Sequence, residues 1–226
     1  MKKIQTYNET SLHASIKDWY AKPGDIIESQ VDGYRIDIVR GDQLIEIQVK
    51  NFSRLKEKLA VLLANYKVRI IYPIPRIRWI HYADTQKRRL SPRKGKLEHI
   101  FQELVYITSE LTNSNLSLEL LFVHEEEIRQ NDGLGSWRRR GISIVDRKLL
   151  DIVDRVPFYF PASFQQMLET LHNQQFTTRE IAKHRDISEN LARKMVYCLW
   201  KTDLIAKIGK RGHHNLYSLN FSNLVD

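Results

Sequence analysis

The sequence predicts a mixed α/β (α+β) sheet domain over residues 1–155 and a smaller helical domain over 156–226. Three observations predict it. Short β-type runs alternate with amphipathic helical runs through the first two thirds of the chain, three short helical runs follow from about Pro157, and two alternating runs close it around a basic, glycine-bearing loop. Composition allows this: 226 residues at 42% hydrophobic and 28% charged exclude collagen, mucin, a disulfide scaffold and a largely disordered chain. No apolar run nears the roughly 20 residues of a membrane span. Met1-Lys2-Lys3-Ile4-Gln5-Thr6 lacks the apolar stretch of a secretory signal, and the single cysteine, Cys198, forbids an intrachain disulfide or a Cys-cluster zinc site, so the cytoplasm is expected.

In chain order, Thr10 to Ala21 spaces Leu12, Ile16 and Trp19-Tyr20 as a helix stopped by Pro23-Gly24. Gly33 to Val39 and Leu44 to Lys50 are strands around Arg40-Gly41-Asp42-Gln43. From Ser53, an expected N-cap, Leu55, Leu59, Leu62, Leu63 and Tyr66 predict a second helix. Val68 to Tyr72, Arg78 to Tyr82, Leu116 to Val123 and Gly141 to Val145 are expected strands, and Leu97 to Ile107 a helix. Beyond Pro157, helices are expected over Ala162 to His172, from Thr177-Thr178 to His184, and from Ser188 to about Lys201. Ile205 to Ile208 and Asn215 to Leu219 form the closing hairpin.

The hairpin Gly33 to Lys50 carries the sharpest chemistry. On its second strand Ile45, Ile47 and Val49 take one face and Glu46, Gln48 and Lys50 the other. A two-residue Gly41-Asp42 turn sets Asp37 directly opposite Glu46. Opposed like charges destabilise a hairpin by an amount comparable with the roughly 0.2–1 kcal/mol of such pairs. A hard divalent cation, Mg²⁺ or Mn²⁺, relieves that repulsion and anchors a phosphodiester, with Gln48 and Lys50 flanking it. The alternative is the solvated polar face of an ordinary sheet.

This Asp strand followed by Ile-Glu-x-Gln-x-Lys resembles the PD-(D/E)XK nuclease superfamily, over about residues 8 to 82. The resemblance implies Asp37 and Glu46 as metal ligands and puts Gln48 at the lysine position, as in competence-associated members. A second registration makes Gln48-Val49-Lys50 the motif. It further implies a carboxylate from the first helix, for which Glu9 is the candidate and Glu28 the runner-up. His13 lies one turn beyond Glu9. Residues 160 to 221 resemble a winged helix-turn-helix domain. That likeness implies a recognition helix whose core stripe is Leu191, Met195, Cys198 and Leu199, with Asn190 and Arg193 to read bases and Lys194, Lys207, Lys210 and Arg211 for phosphates.

Thirty-six Lys+Arg against 27 Asp+Glu, net +9, favour a polyanionic partner. Cations concentrate in Gln86 to Lys96, which contains Arg88, Arg89, Arg93 and Lys94, and in Ser136 to Gly141, where Trp137 adjoins Arg138, Arg139 and Arg140. An aromatic beside arginines suits stacking on a base while pairing with backbone. The function expected is metal-dependent hydrolysis of DNA, with RNA as a less favoured substrate. The alternative is a non-catalytic winged-helix regulator whose nuclease-like domain serves dimerisation, as a homodimer, or sensing. His124-Glu125-Glu126-Glu127 lacks the His-Glu-x-x-His spacing and is expected to be surface acid. No phosphate-binding Walker loop or Gly-x-Ser-x-Gly elbow is present.

Overall fold

The computed structural model describes residues 10–168 and 175–220. Helix α1 (Ser11–Tyr20) is capped by Thr10, whose Oγ1 accepts from the His13 amide, and buries Leu12, Ile16 and Tyr20 along one stripe. Strands β1 (Ile26–Val31), β2 (Tyr34–Arg40) and β3 (Gln43–Ile47) form an antiparallel meander. The expected second helix starts later than predicted. Asn51 is left-handed (φ 63°), Phe52–Leu55 is a 3₁₀ turn, and α2 spans only Lys56–Leu62, so Ser53 makes no cap.

Strand β4 (Lys67–Tyr82) joins the two short strands expected from the sequence into one. Pro73 and Pro75 lie between them, and proline cannot donate to a ladder. In the sheet, the Ile71 carbonyl accepts from Gln48 N and the Pro75 carbonyl from Gly95 N, so odd-numbered residues here face the edge that β3 leaves open after Ile47. On the other edge β4 pairs in parallel with β6 (Leu116–Asn131) along its whole length. The prolines therefore sit where no donor is needed. Strand β5 (Lys87–Leu90) returns along the far end of β4, inside what the sequence suggests is a loop. Residues 97–107, expected as one helix, divide into a 3₁₀ turn (Leu97–Ile100) and α3 (Phe101–Leu104). Strand β7 (Ile142–Phe158) greatly exceeds the predicted Gly141 to Val145 and runs through the expected boundary at 155.

The result is a seven-stranded mixed sheet, β1-β2-β3-β4-β6-β7 with β5 on β4, parallel only at β3–β4 and β4–β6. One face packs Ile38, Ile45, Ile47, Ile71, Leu121 and Val123 under α1. The other packs Ile36, Leu44, Val68, Ile70, Leu120 and Phe122 under α2 and α3.

The remaining elements are α4 (Ala162–Leu168), β8 (Phe176–Thr177), α5 (Thr178–His184), α6 (Glu189–Lys201), β9 (Ile205–Arg211) and β10 (His214–Leu219). The last four residues of the expected 162–172 helix lie outside the described residues. Thr177 and Ser188 cap α5 and α6, as their sequences predict, and β8-β10-β9 form a small sheet. Leu191, Met195, Cys198 and Leu199 are buried on α6. They join the same apolar cluster as Phe101 and Leu104 of α3, while the Phe164 ring packs on Phe101, Phe158 and Phe160. Lys96–Asp186 (2.6 Å) and Arg185–Glu98 (2.6 Å) rim the contact.

Candidate active site and nucleic-acid surfaces

The β2–β3 ladder pairs Ile38 with Ile45, Val39 with Leu44 and Arg40 with Gln43 around the Gly41-Asp42 turn, where Gly41 takes φ +56°. The ladder ends there, with Asp37 and Glu46 next on their strands and the Asp37 charge acting on Glu46. Regular alternation would put Ile36 and Ile38 on one face, yet Ile36 packs toward α2 and Ile38 toward α1. The strand is irregular at Asp37, and Glu28, its neighbour on β1, has φ +57°. Irregularities of this kind re-aim a side chain. The Asp37 carboxylate accepts from Ile47 N (2.8 Å) and lies 3.3 Å from His13 Nε2 of α1. Across the sheet, Lys58 of α2 pairs with Glu46 Oε1 and donates to the Arg35 carbonyl (2.5 Å). Two acids of neighbouring strands thus meet one basic group from each covering helix.

Glu46 is 5% exposed. Burial pushes its carboxyl up from 4.5 to about 7; Lys58 opposes the shift and the Asp37 charge reinforces it, so desolvation outweighs the ion pair. The Asp37 charge raises the Glu46 carboxyl, while Lys58 sits on Glu46 and the Ile47 amide and His13 on Asp37. Nothing in the sequence marks Lys58, a lysine among the polar positions of the second helix, as the group that faces Glu46. Among the described residues, no three His, Cys, Asp or Glu side chains gather into a set able to hold a metal ion.

Gln48 and Lys50 do not extend the strand's polar face. β3 ends at Ile47, Gln48 turns its amide onto the carbonyls of Lys50 and Asn51, and Lys50 is exposed on the bend. Glu9 lies outside the described residues. Glu28, the runner-up, is taken by Lys17 (2.5 Å) and by Arg35. His124 to Glu127 are not surface acids as expected: Glu125 and Glu127 are each 1% exposed and pair with Arg78, Arg129 and Arg147.

The two basic loops meet one sheet. Gly95 N bonds to the Pro75 carbonyl, four residues along β4 from the Ile71 carbonyl that holds Gln48, so the exposed Arg93 and Lys94 lie about 13 Å beyond the acidic hairpin on the same strand edge. Arg88 stacks on Trp79 and pairs with Glu126 (2.7 Å), and Arg89 bonds to the Tyr82 hydroxyl. Arg138 and Arg140 are exposed at the β6–β7 turn, where Arg139 Nε donates to the Ile142 carbonyl. On α6, Asn190 and Arg193 face outward, whereas Lys194 turns to the Gln102 carbonyl and the Tyr106 ring. In the closing hairpin Lys207 and Lys210 are exposed and Arg211 pairs with Glu180 (2.6 Å).

A family described as a domain of unknown function, DUF8091, matches residues 10–159. The chain belongs to this family. The matched segment runs from the α1 cap to the end of β7, which is the whole of the large sheet with α1 to α3. A relative from Treponema pallidum (strain Nichols), described as an uncharacterized protein, is 32% identical over 170 residues, spanning 73% of this chain and 68% of its own. No solved structure matches. No described helix is long and apolar enough to cross a membrane.

Proposed function

We propose that this DUF8091 chain is a metal-dependent nuclease that hydrolyses phosphodiester bonds in DNA, its sheet domain of PD-(D/E)XK type and its last six elements a winged helix. One observation carries the proposal: Asp37 and Glu46 lie on neighbouring strands near enough for the Asp37 charge to act on Glu46, with Lys58 on Glu46 and His13 on Asp37. The order α1-β1-β2-β3-α2-β4, with β4 parallel to β3, supports the first resemblance, and the order α4-β8-α5-α6-β9-β10 the second.

The donor chemistry fits a hard cation. Mg²⁺ takes one or two protein carboxylates and completes its shell with water and phosphate oxygens, so Asp37 and Glu46 suffice as protein ligands. Bound there, the ion would supply Lewis-acid polarisation of the phosphate and a more acidic water. The chain's own groups do the rest. Lys58 holds a positive charge at Glu46 that stabilises negative charge developing on the attacked phosphate. His13 and the Ile47 amide fix the Asp37 carboxylate. Arg93 and Lys94 hold the backbone beyond the scissile bond, and Asn190 and Arg193 of α6 face a groove.

Incubation with plasmid and linear DNA in Mg²⁺ or Mn²⁺ tests this. Wild type cuts, while Asp37→Asn and Glu46→Gln lose at least about a hundredfold in rate and Lys58→Ala loses as much as one electrostatic donor supplies, about 10²-fold. A second reading, a non-catalytic DNA-binding regulator, is favoured by the internal pairing of both acids and by the turn of Gln48 away from them. It prevails if DNA is retained in a gel shift and neither metal supports cutting.

A further inference from the structure

Strands β4, β6 and β7 run on past the end of β3 as an arm, covered by α1 as far as Asp146 of β7, whose carboxylate takes Ser11 N (3.1 Å) and Ser11 Oγ (2.5 Å). Glu46 is level with Ile70 on β4, and Tyr82 at the other end of β4 pairs with Arg129 of β6. The twelve residue steps from one to the other follow about 40 Å of strand, an upper limit on their separation along a bulged and twisted path. The arm begins where β3 ends at Ile47 and β4 runs on past Ile71, the edge at which the acidic hairpin ends. Along it the cations fall in sequence: Arg93 and Lys94 nearest the acids, then Lys87, Arg88 and Arg89 on β5, then Arg138 to Arg140 at the β6–β7 turn. The loop after β4 meets that turn, since Asn131 N donates to Asp84 Oδ2 (2.7 Å).

At the tip, Leu134 is 86% exposed and Trp137 82%. This is not slack loop. Gly135 N donates to the Gly141 carbonyl (2.8 Å), Arg139 N to the Ser136 carbonyl (2.9 Å), Leu134 N to Asp132 Oδ1 (2.9 Å) and Ser143 Oγ to Asp132 Oδ2 (2.6 Å). Gly133 and Gly141 take φ of +75° and +82°, and a Cβ on Gly135 would come within 1.8 Å of the Ile142 carbonyl oxygen. A turn built this tightly holds its two large apolar side chains in water, against the usual gain from covering them. The nearby acids Asp84 and Asp132 point their carboxylates into the turn's own hydrogen bonds, while Arg138 and Arg140 are exposed on it.

We propose that this tip is a wedge that enters duplex DNA, Trp137 and Leu134 prising at a base step while Arg138 and Arg140 grip the flanking phosphates. Apolar side chains inserted between base steps among arginines are a recurring way of kinking a duplex. The cations on β5 and at the turn give it further backbone contacts between the tip and the acids. Single strands are held instead in grooves lined by aromatics, and this tip is convex. The inference rests on the nucleic-acid half of the proposed function and is independent of hydrolysis.

The test uses the full chain with Asp37→Asn, in chelator so that no cutting intervenes, and a duplex carrying aminopurine at successive positions. Binding raises aminopurine fluorescence at one step. Adding Trp137→Ala removes that rise and weakens binding about tenfold; Trp137→Phe restores much of both. Replacing Arg138, Arg139 and Arg140 by alanine lowers the salt dependence by about two to three counterions. Duplex binding and fluorescence unchanged by Trp137→Ala overturn the wedge while leaving the proposed function standing. Tighter, Trp137-dependent binding of single strands also overturns it, as does Trp137-dependent binding to phosphatidylserine vesicles without any effect on DNA. Failure of the parent to bind DNA at all removes the proposed function and the wedge together.

Discussion

Glu46 shows how a buried acid reports on its surroundings. Its carboxyl keeps a proton to about 7 in the fold against 4.5 when free. The folded state therefore binds that proton more tightly than the unfolded one, and the contribution to stability declines as pH rises from about 4.5 to 7. Urea midpoints in chelator should fall between pH 5 and 8, and Glu46→Gln should flatten the fall; an unchanged slope would show that the carboxyl is ionised throughout. Cys198 is buried among apolar groups and its thiol is pushed up to about 12 by that burial. Thiol reagent at pH 8 should leave it unmodified until denaturant is added. The Gly41-Asp42 turn and the register of Ile38 with Ile45 were legible in the sequence because a two-residue turn fixes register. Lys58 was not, because a lysine on the polar side of a helix carries no mark of what faces it, and neither was the irregularity at Asp37, where the neighbouring Glu28 of β1 is left-handed.

Helices and strands were legible where local rules decide them and illegible where neighbours do. The α1, α5 and α6 starts follow from Thr10, Thr177 and Ser188, whose side chains satisfy the first-turn amides. The unity of β4 could not be read, since Pro73 and Pro75 break a strand only if the edge they face is paired. The segment after β5 covers that edge through Gly95, where a Cβ would meet Ile74 Cγ2 at 2.5 Å and the Pro75 oxygen at 2.6 Å. Gly95→Ala should cost about 1–3 kcal/mol by overpacking, lowering Tm by about 2–4 °C for each kcal/mol. It should also displace Arg93 and Lys94 and weaken DNA binding with it. A variant as stable as wild type would contradict the close approach.

Across the whole molecule, one apolar cluster runs from Ile36 and Leu44 through Phe101, Phe158 and Phe164 to Met195 and Cys198. The sequence shows a change of pattern near Pro157 but not this continuity, because the rings that make it are far apart in the chain. Phe164→Ala should therefore destabilise both halves together by about 3–5 kcal/mol. Calorimetry should give a single transition for wild type and variant alike, and two separated transitions would contradict a shared core. The same continuity fixes α6 against α3, so the outward residues of α6 and the cations along β4 hold a constant relation to the acidic hairpin. At the centre of all this lies the claim that Asp37 and Glu46 together hold a divalent cation. Titration of the full chain with Mn²⁺ in the presence of DNA, followed by electron paramagnetic resonance, tests it most directly. Uptake at a site lost on Asp37→Asn is the result expected; equal uptake by wild type and Asp37→Asn, or none by either, would contradict it.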